Sequence, residues 1–404
     1  MTKFAKRLKG MEKSAAIVRN IFNGMNDPEI ISFGGGAPAK EGLPVDILRE
    51  IADDVMRKES RGLEALQYGG VMGIKDLREF IARELLAPKG IDAQVENIMI
   101  VNGGLEGLYL LCRSLIDPGD VILVESPTFV HAVEVFELIG AKCIACEMDD
   151  NGVIVENLEV KIKQYNPKMI YTIPTFHNPT GKTLSQTRRK RMAELGSTHD
   201  VIILEDDPYS ELRYSGETLK PIKAFDKTGH TVFANSFSKI FSPGTRLGYI
   251  VGNDEIMKHL FDVKTATNSH TSTLCQVLAS EFFKRGYFPE HLKNLCDLHR
   301  KRRDVMMACL DKYFPEGTKH TYPDGGLFTW VDLPNKIDTT EMLEEAERDY
   351  KVSYLGGECF FTEGGGKGRN SMRISFGNVT TEKIKEGTER LGALAQSKIE
   401  QFNK

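Results

Sequence analysis

Residues 231–252 read TVFANSFSKIFSPGTRLGYIVG, and the order of residue types in this stretch decides the fold. Its two ends, TVFANSFS (231–238) and LGYIVG (247–252), are rich in β-branched and aromatic residues and lack strict polar alternation. Strands covered on both faces read this way. Between them lie Lys239, a Pro-Gly turn and Arg246, and the hydroxyl residues Ser236 and Ser238 precede the lysine. A lysine becomes a useful nucleophile when desolvation or nearby positive charge lowers its pKa. Arg246 can supply that charge. Hydroxyls with an arginine also form a phosphate cradle, because a guanidinium binds phosphate through two parallel hydrogen bonds. Taken alone, the segment has a second, lesser reading as a surface lysine in a polar turn.

Similar runs lie upstream: IMIVN (98–102), VILVE (121–125), MIYTIP (169–174) and VIILED (201–206). Helix-like polar segments separate most of them, which is the βαβ pattern of a mostly parallel sheet with helices on both faces. Ligands of such sheets sit beyond the carboxyl ends of the strands, so the polar residues at those ends are the candidates. VIILED ends in Asp206, with Tyr209 following. A buried carboxylate there needs a cationic or hydrogen-bonding partner, such as a protonated pyridine nitrogen, and Tyr209 can donate to a phenolate oxygen. The neighbouring Glu205 and Asp207 leave a helix-capping cluster as the other reading. MIYTIP runs into TFHNPTGKTL, where Asn178 precedes a proline and is biased towards an extended or turn conformation. The GKT within it is no nucleotide-binding loop, because the required first glycine is Phe176. IMIVN leads to Gly103 and Gly104 at a helix start, where free N–H groups bind phosphate. Phe129, after VILVESPT, is placed to stack on a ring or to join the core.

A chain of 404 residues is too long for one simple core, so a large domain and a smaller one are expected. The smaller one begins in the long helical, Lys- and Arg-rich stretch after residue 275, with YPDGGLFTWVDL and SMRISFGN as strands. Residues 4–22 carry Phe4, Leu8, Met11, Ala15, Val18 and Phe22 at helical spacing, an amphipathic arm. FGGGAP (33–38) is a turn whose glycines allow close backbone approach to a ligand. A net charge of −4 implies no nucleic-acid or membrane field. No apolar run approaches the ~20 residues of a membrane span. The basic N-terminus lacks the apolar region of a signal peptide. Seven scattered cysteines argue for a reducing, cytoplasmic setting. Cys143 and Cys146 form a C-x-x-C, either a redox or metal half-site or two residues of one strand.

NPTG at 178–181, Asp206-x-x-Tyr209 and Ser236-x-Ser238-Lys239 with Arg246 together resemble the fold-type I pyridoxal-phosphate enzymes, specifically the class I/II aminotransferases. YGGVMGIKDLR (68–78), PDGGLFTW (323–330) and MRIS (372–375) extend the resemblance over nearly the whole chain. It implies an α/β fold: an N-terminal arm and small-domain segment (1–44), a large domain (45–290) with a mostly parallel, seven-stranded type of sheet, and a small α/β domain (291–404). It implies pyridoxal 5′-phosphate held as a Schiff base on Lys239, which then serves as general acid and base. Asp206 pairs with the pyridine nitrogen. Asn178 and Tyr209 bond the ring 3-oxygen, and Phe129 stacks on the ring. Gly103, Gly104, Leu105, Ser236, Ser238 and Arg246 belong to the phosphate site. Tyr68 reaches the phosphate or substrate of a neighbouring subunit, so a homodimer is implied. Arg373 clamps the substrate α-carboxylate, with Asn178 and the Gly36 backbone assisting. Relatives often carry Ser-Gln where this chain has Gly104-Leu105, which removes side-chain donors but keeps backbone ones.

SAAIVRNIF (14–22) followed by ISFGGGAP (31–38) is similar to the 2-aminoadipate and kynurenine aminotransferase subgroup, in which the residue matching Arg19 lies near the substrate side chain. That implies amino-group transfer between 2-aminoadipate, glutamate, aromatic or branched-chain amino acids and a 2-oxo acid, with 2-oxoglutarate as acceptor. Two alternatives use the same scaffold. One is a β-eliminating C–S lyase. The other is the sensor module of a transcriptional regulator, which would need a DNA-binding domain ahead of residue 1.

Overall fold

The structure is a computed structural model that describes residues 27–57, 59–334 and 337–402, together with Phe4, Ala5 and Leu8. Apart from Phe4, Ala5 and Leu8, the expected arm helix over 4–22, and Arg19 within it, lies outside the described residues. The strands are β1 (Ile31–Ser32), β2 (Ile98–Val101), β3 (Val121–Ser126), β4 (Lys142–Asp149), β5 (Gly152–Val153), β6 (Met169–Thr172), β7 (Ile202–Asp206), β8 (Thr231–Ser236) and β9 (Gly248–Val251), followed by β10 (Lys319–His320), β11 (Phe328–Asp332), β12 (Val352–Ser353), β13 (Leu355–Gly356) and β14 (Ser371–Ser375).

Strands β2 to β9 form one sheet in the order β2-β9-β8-β7-β6-β3-β4-β5. The five strands β8, β7, β6, β3 and β4 are parallel neighbours. Every residue of β2, β6, β8 and β9 is buried, the physical reason these strands read as continuous runs. β9 runs antiparallel to both its neighbours because the chain doubles back through the turn at Pro243 and Gly244, pairing Asn235 with Tyr249 and Ser236 with Gly248. Lys239 and Arg246 therefore share one loop at the carboxyl end of β8. The short β5 adds an antiparallel edge beyond the seven longer strands. The order of the parallel strands reverses between β3 and β6, which is where ligands lodge in open α/β sheets.

Cys143 and Cys146 lie on β4 three residues apart, hence on opposite faces, and all seven cysteines are free. The strand reading of the C-x-x-C holds.

The second sheet is antiparallel, β10-β11-β14-β13, and β1 pairs in parallel with β12. The two strands expected in the C-terminal region are β11 and β14, with Trp330 opposite Arg373. The helices Phe288–Tyr313 and Thr381–Phe402 pack against each other beside them. Residues 33–38 belong to this unit as well: Phe33 N–H donates to Ser353 O and Phe33 O accepts from Ser375 N–H. No helix among the described residues is long and apolar enough to cross a membrane.

Candidate active site

The three acids ending β7 are separated by their partners. Glu205 accepts the backbone N–H groups of Ile222 and Lys223 at 2.8 Å each. Asp207 pairs with Lys89 at 3.1 Å and accepts Ser210 Oγ at 2.6 Å. Among the described residues, the Asp206 carboxylate has only Tyr171, whose hydroxyl donates at 2.9 Å. Asp206 is 5 % exposed and has no ion-pair partner among the described residues. Burial pushes its carboxyl up to about 7, against the Tyr171 bond. An isolated buried carboxylate is a site for a cation.

Lys239 Nζ donates to Gly36 O at 2.8 Å. Burial, followed by the charges of Arg246 and Arg373, lowers its amine to about 8. The FGGGAP turn thus lies over the lysine. Gly36 is glycine for a steric reason: a Cβ would sit 2.9 Å from the Phe328 ring. Arg373, on β14, is 4 % exposed and stacks over Phe328 with its guanidinium carbon 4.3 Å from the ring centre. It donates to Asn178 Oδ1 at 2.9 Å and to Gly34 O, while Nε has no partner among the described residues. Burial lowers Arg373 to about 10. Asn178 also bonds the Tyr209 hydroxyl, and burial pushes that phenol up. Tyr209 is fixed edge-on against Phe328, with ring centres 5.7 Å apart.

The third part is an anion cradle. Gly103 caps the helix Gly104–Leu115 with φ 76° and ψ 167°. Gly248, at the start of β9, lets that turn come close, since a Cβ there would lie 3.0 Å from Gly103 C and 3.1 Å from Gly104 N. Ser236 Oγ and Ser238 Oγ are 2.9 Å apart, and Arg246 Nη1 reaches Ser238 Oγ at 3.5 Å. The first-turn N–H groups and the arginine face one locus, because a Cβ on Gly103 would run into the Arg246 guanidinium. Leu105 is part-exposed and brings only its backbone.

Glu125, His177, Glu106 and Lys264 escaped the sequence reading, as did Tyr171. Glu125, the last residue but one of β3, is buried; it accepts Thr172 Oγ1 at 2.7 Å and Ile173 N–H at 2.9 Å, and His177 Nε2 lies 3.1 Å away. Burial would raise its carboxyl, but His177 and these hydrogen bonds more than offset that and hold it below the usual range. Glu106, in the first turn of the cradle helix, accepts Lys264 Nζ at 2.8 Å as well as the Asn102 and Asn268 amides. Inspection of every strand end would have flagged Glu125. A hydroxyl in a fully buried strand, as in Tyr171, also signals a partner.

Not every candidate joins the cluster. Phe129 is half-buried, edge-on to His131 at 5.3 Å. Tyr68 is 87 % exposed, edge-on to His270 at 5.7 Å.

Pyridoxal phosphate presents a ring nitrogen that takes up a proton, an aldehyde and a phosphate. A buried carboxylate lacking a cation, a half-buried amine of lowered basicity and an anion cradle answer these in turn, so the residues present fit the group.

The family description "Aminotransferase class I and II" matches residues 28–391. The aromatic-amino-acid aminotransferase 1 of Thermococcus litoralis is 39 % identical over 393 residues, which covers 96 % of this chain and 93 % of that one. The 2-aminoadipate transaminase of Thermus thermophilus is 32 % identical over 94 % of this chain and 93 % of its own. The crystal structure of the Pyrococcus horikoshii kynurenine aminotransferase superposes with a TM-score of 0.91 at 38 % identity, covering 98 % and 97 % of the two chains. With its fold, its half-buried lysine, its buried aspartate and its anion cradle, this chain belongs to the class I and II aminotransferases, enzymes that transfer amino groups with pyridoxal phosphate.

Proposed function

We propose a division of labour for this amino-group transfer. Lys239 holds pyridoxal phosphate through its amine. The first-turn backbone N–H groups of Gly104 and Leu105, after Gly103, hold the phosphate with Ser236, Ser238 and Arg246. Phe129 packs on the ring, and Asn178 and Tyr209 hold its 3-oxygen. Asp206 faces the ring nitrogen. The bound group supplies an electron sink for the charge left when the substrate Cα loses its proton. Arg373 receives the substrate α-carboxylate. Its guanidinium is already oriented by Asn178 and Gly34, and its unpartnered Nε is a buried donor that a carboxylate would satisfy. Lys239 Nζ takes the Cα proton and returns it, and its basicity near neutrality suits both tasks. Gly36 O gives that amine a resting partner and orients it.

The observation that carries this assignment is the sorting of Glu205, Asp206 and Asp207: two backbone N–H groups occupy Glu205, Lys89 pairs with Asp207, and among the described residues Asp206 is left with one neutral donor, the Tyr171 hydroxyl.

For substrates, we take 2-aminoadipate, glutamate and aromatic or branched-chain amino acids as donors and 2-oxoglutarate as acceptor. The named relatives support the aromatic and 2-aminoadipate part of this range. Arg19 pairs with a distal carboxylate, and Arg19→Ala would then weaken dicarboxylic donors more than aromatic ones. Equal effects on both would refute that role. A homodimer is supported by the exposed apolar run Leu63, Leu66 and Tyr68, with Tyr68 contributing to the partner's site. A cytoplasmic setting is supported by seven free cysteines. We keep 1–44 as the arm and small-domain segment that goes with the 291–404 unit, and 45–290 as the large domain.

The test is spectral. Single L-amino acids are added to the holoenzyme without any oxo acid. The aldehyde-form band should fall as the pyridoxamine form grows, and the ranking of donors names the substrate class. Pyruvate release from β-substituted amino acids without pyridoxamine would indicate a lyase instead.

A further inference from the structure

We infer that Tyr171 is the positioning residue that keeps Asp206 ionised and oriented for the cofactor's ring nitrogen. This rests on the assignment of Asp206 above. Tyr171 lies on β6 next to Leu204 of β7, and its hydroxyl donates to Asp206 Oδ2 at 2.9 Å. Neither residue has room to turn away. Tyr171 is fully buried, with its ring edge-on against Phe136 at 5.3 Å, and Asp206 is 5 % exposed.

The electrostatic surroundings give this one bond its weight. Asp207 and Glu125 both oppose negative charge on Asp206. Each has its own cation or acid partner, Lys89 for Asp207 and His177 for Glu125, so neither of those partners serves Asp206. The Tyr209 phenol, also near, is itself made harder to ionise by Asp206 and carries no positive charge. Among the described residues, the Tyr171 hydroxyl is thus the side-chain donor that favours the Asp206 carboxylate. It stays a donor at any working pH, since burial and Asp206 hold its pKa far above neutrality. With Oδ2 occupied, Oδ1 is left for the ring nitrogen. Without the hydroxyl, Asp206 would be largely protonated near pH 7, and a neutral acid would not hold a proton on that nitrogen.

The experiment compares wild type, Y171F and D206N. In apoenzyme carrying 13C-carboxyl aspartate, the Asp206 signal is the one that D206N lacks. Its titration midpoint should be higher in Y171F than in wild type, by tenfold or more in acidity, and pyridoxal phosphate should bind roughly 10- to 100-fold more weakly at pH 7. The 15N shift of ring-labelled cofactor should show a protonated nitrogen in wild type and a partly unprotonated one in Y171F, an effect that simple loosening of the core would not produce. Should Y171F not fold, 3,5-difluorotyrosine at position 171, a stronger donor of similar shape, should lower the Asp206 midpoint. An unchanged midpoint and unchanged 15N shift would overturn the inference about Tyr171 while leaving Asp206 in place. Wild-type affinity and 15N shift in D206N would overturn the Asp206 assignment itself, and the inference with it.

Discussion

Gly103→Ala should weaken cofactor binding far more than its size suggests. The backbone at Gly103 has φ 76° and ψ 167°, a region that only glycine enters freely and that costs about 1–3 kcal/mol for other residues. The added methyl would also lie 3.0 Å from Arg246 Cζ. The turn cannot retreat the other way, because Gly248 of β9 already approaches Gly103 and Gly104 within about one side-chain carbon. Arg246 must therefore move. Losing one charge-assisted phosphate contact costs about 1.5–3 kcal/mol, or a 10- to 100-fold rise in the dissociation constant of pyridoxal phosphate. Gly104→Ala is the control. Its Cβ would meet nothing nearer than Ser236 Cβ at 3.8 Å, and its binding should stay within about threefold of wild type. Apoenzyme is titrated with pyridoxal phosphate and the bound form followed by absorbance. The reasoning fails if Gly103→Ala binds within threefold of wild type, or if Gly104→Ala is the weaker of the two.

Lys264→Met should lower stability by about 3 kcal/mol, since it strands the Glu106 carboxylate in the first turn of the cradle helix, and Glu106→Gln in the same chain should recover part of that in urea unfolding. Arg373→Lys keeps the charge but loses the fork shared by Asn178 and Gly34, so the KM for amino-acid donors should rise at least about tenfold with the cofactor spectrum unchanged. His299 is fully buried with both ring nitrogens unpartnered among the described residues, and burial, then Arg302, lowers it to about 3. The unfolded chain takes up this proton below about pH 6.5 and the folded one does not, so stability is lost as pH falls through that window, by about 2 kcal/mol at pH 5. Urea midpoints at pH 7.5 and 5 should differ less in His299→Leu than in wild type.

What could be read from the sequence and what could not divide along one physical line. A strand buried on both faces is legible as a run, and its carboxyl end is where a parallel sheet opens to ligand. Lys239, Arg246, Asn178 and Gly103 were therefore accessible from local pattern alone, and Asp206 only as one of three adjacent acids. Parity along β4 even settles Cys143 and Cys146, because three positions in a strand reverse the face. The choice among Glu205, Asp206 and Asp207 was not local. It depends on Lys89, far upstream, and on two N–H groups at Ile222 and Lys223. The same holds for Glu106, which looks like an ordinary polar helix residue until Lys264 meets it across the fold. Tyr171 was hidden differently. Inside a strand covered on both faces, a polar side chain breaks no visible period, so the pattern that revealed the sheet also masked it. Residues that face the ligand announce themselves at the ends of elements. Those that set the charge of the ligand-facing residues sit one layer behind, where only partners distant in sequence distinguish a tuned group from core.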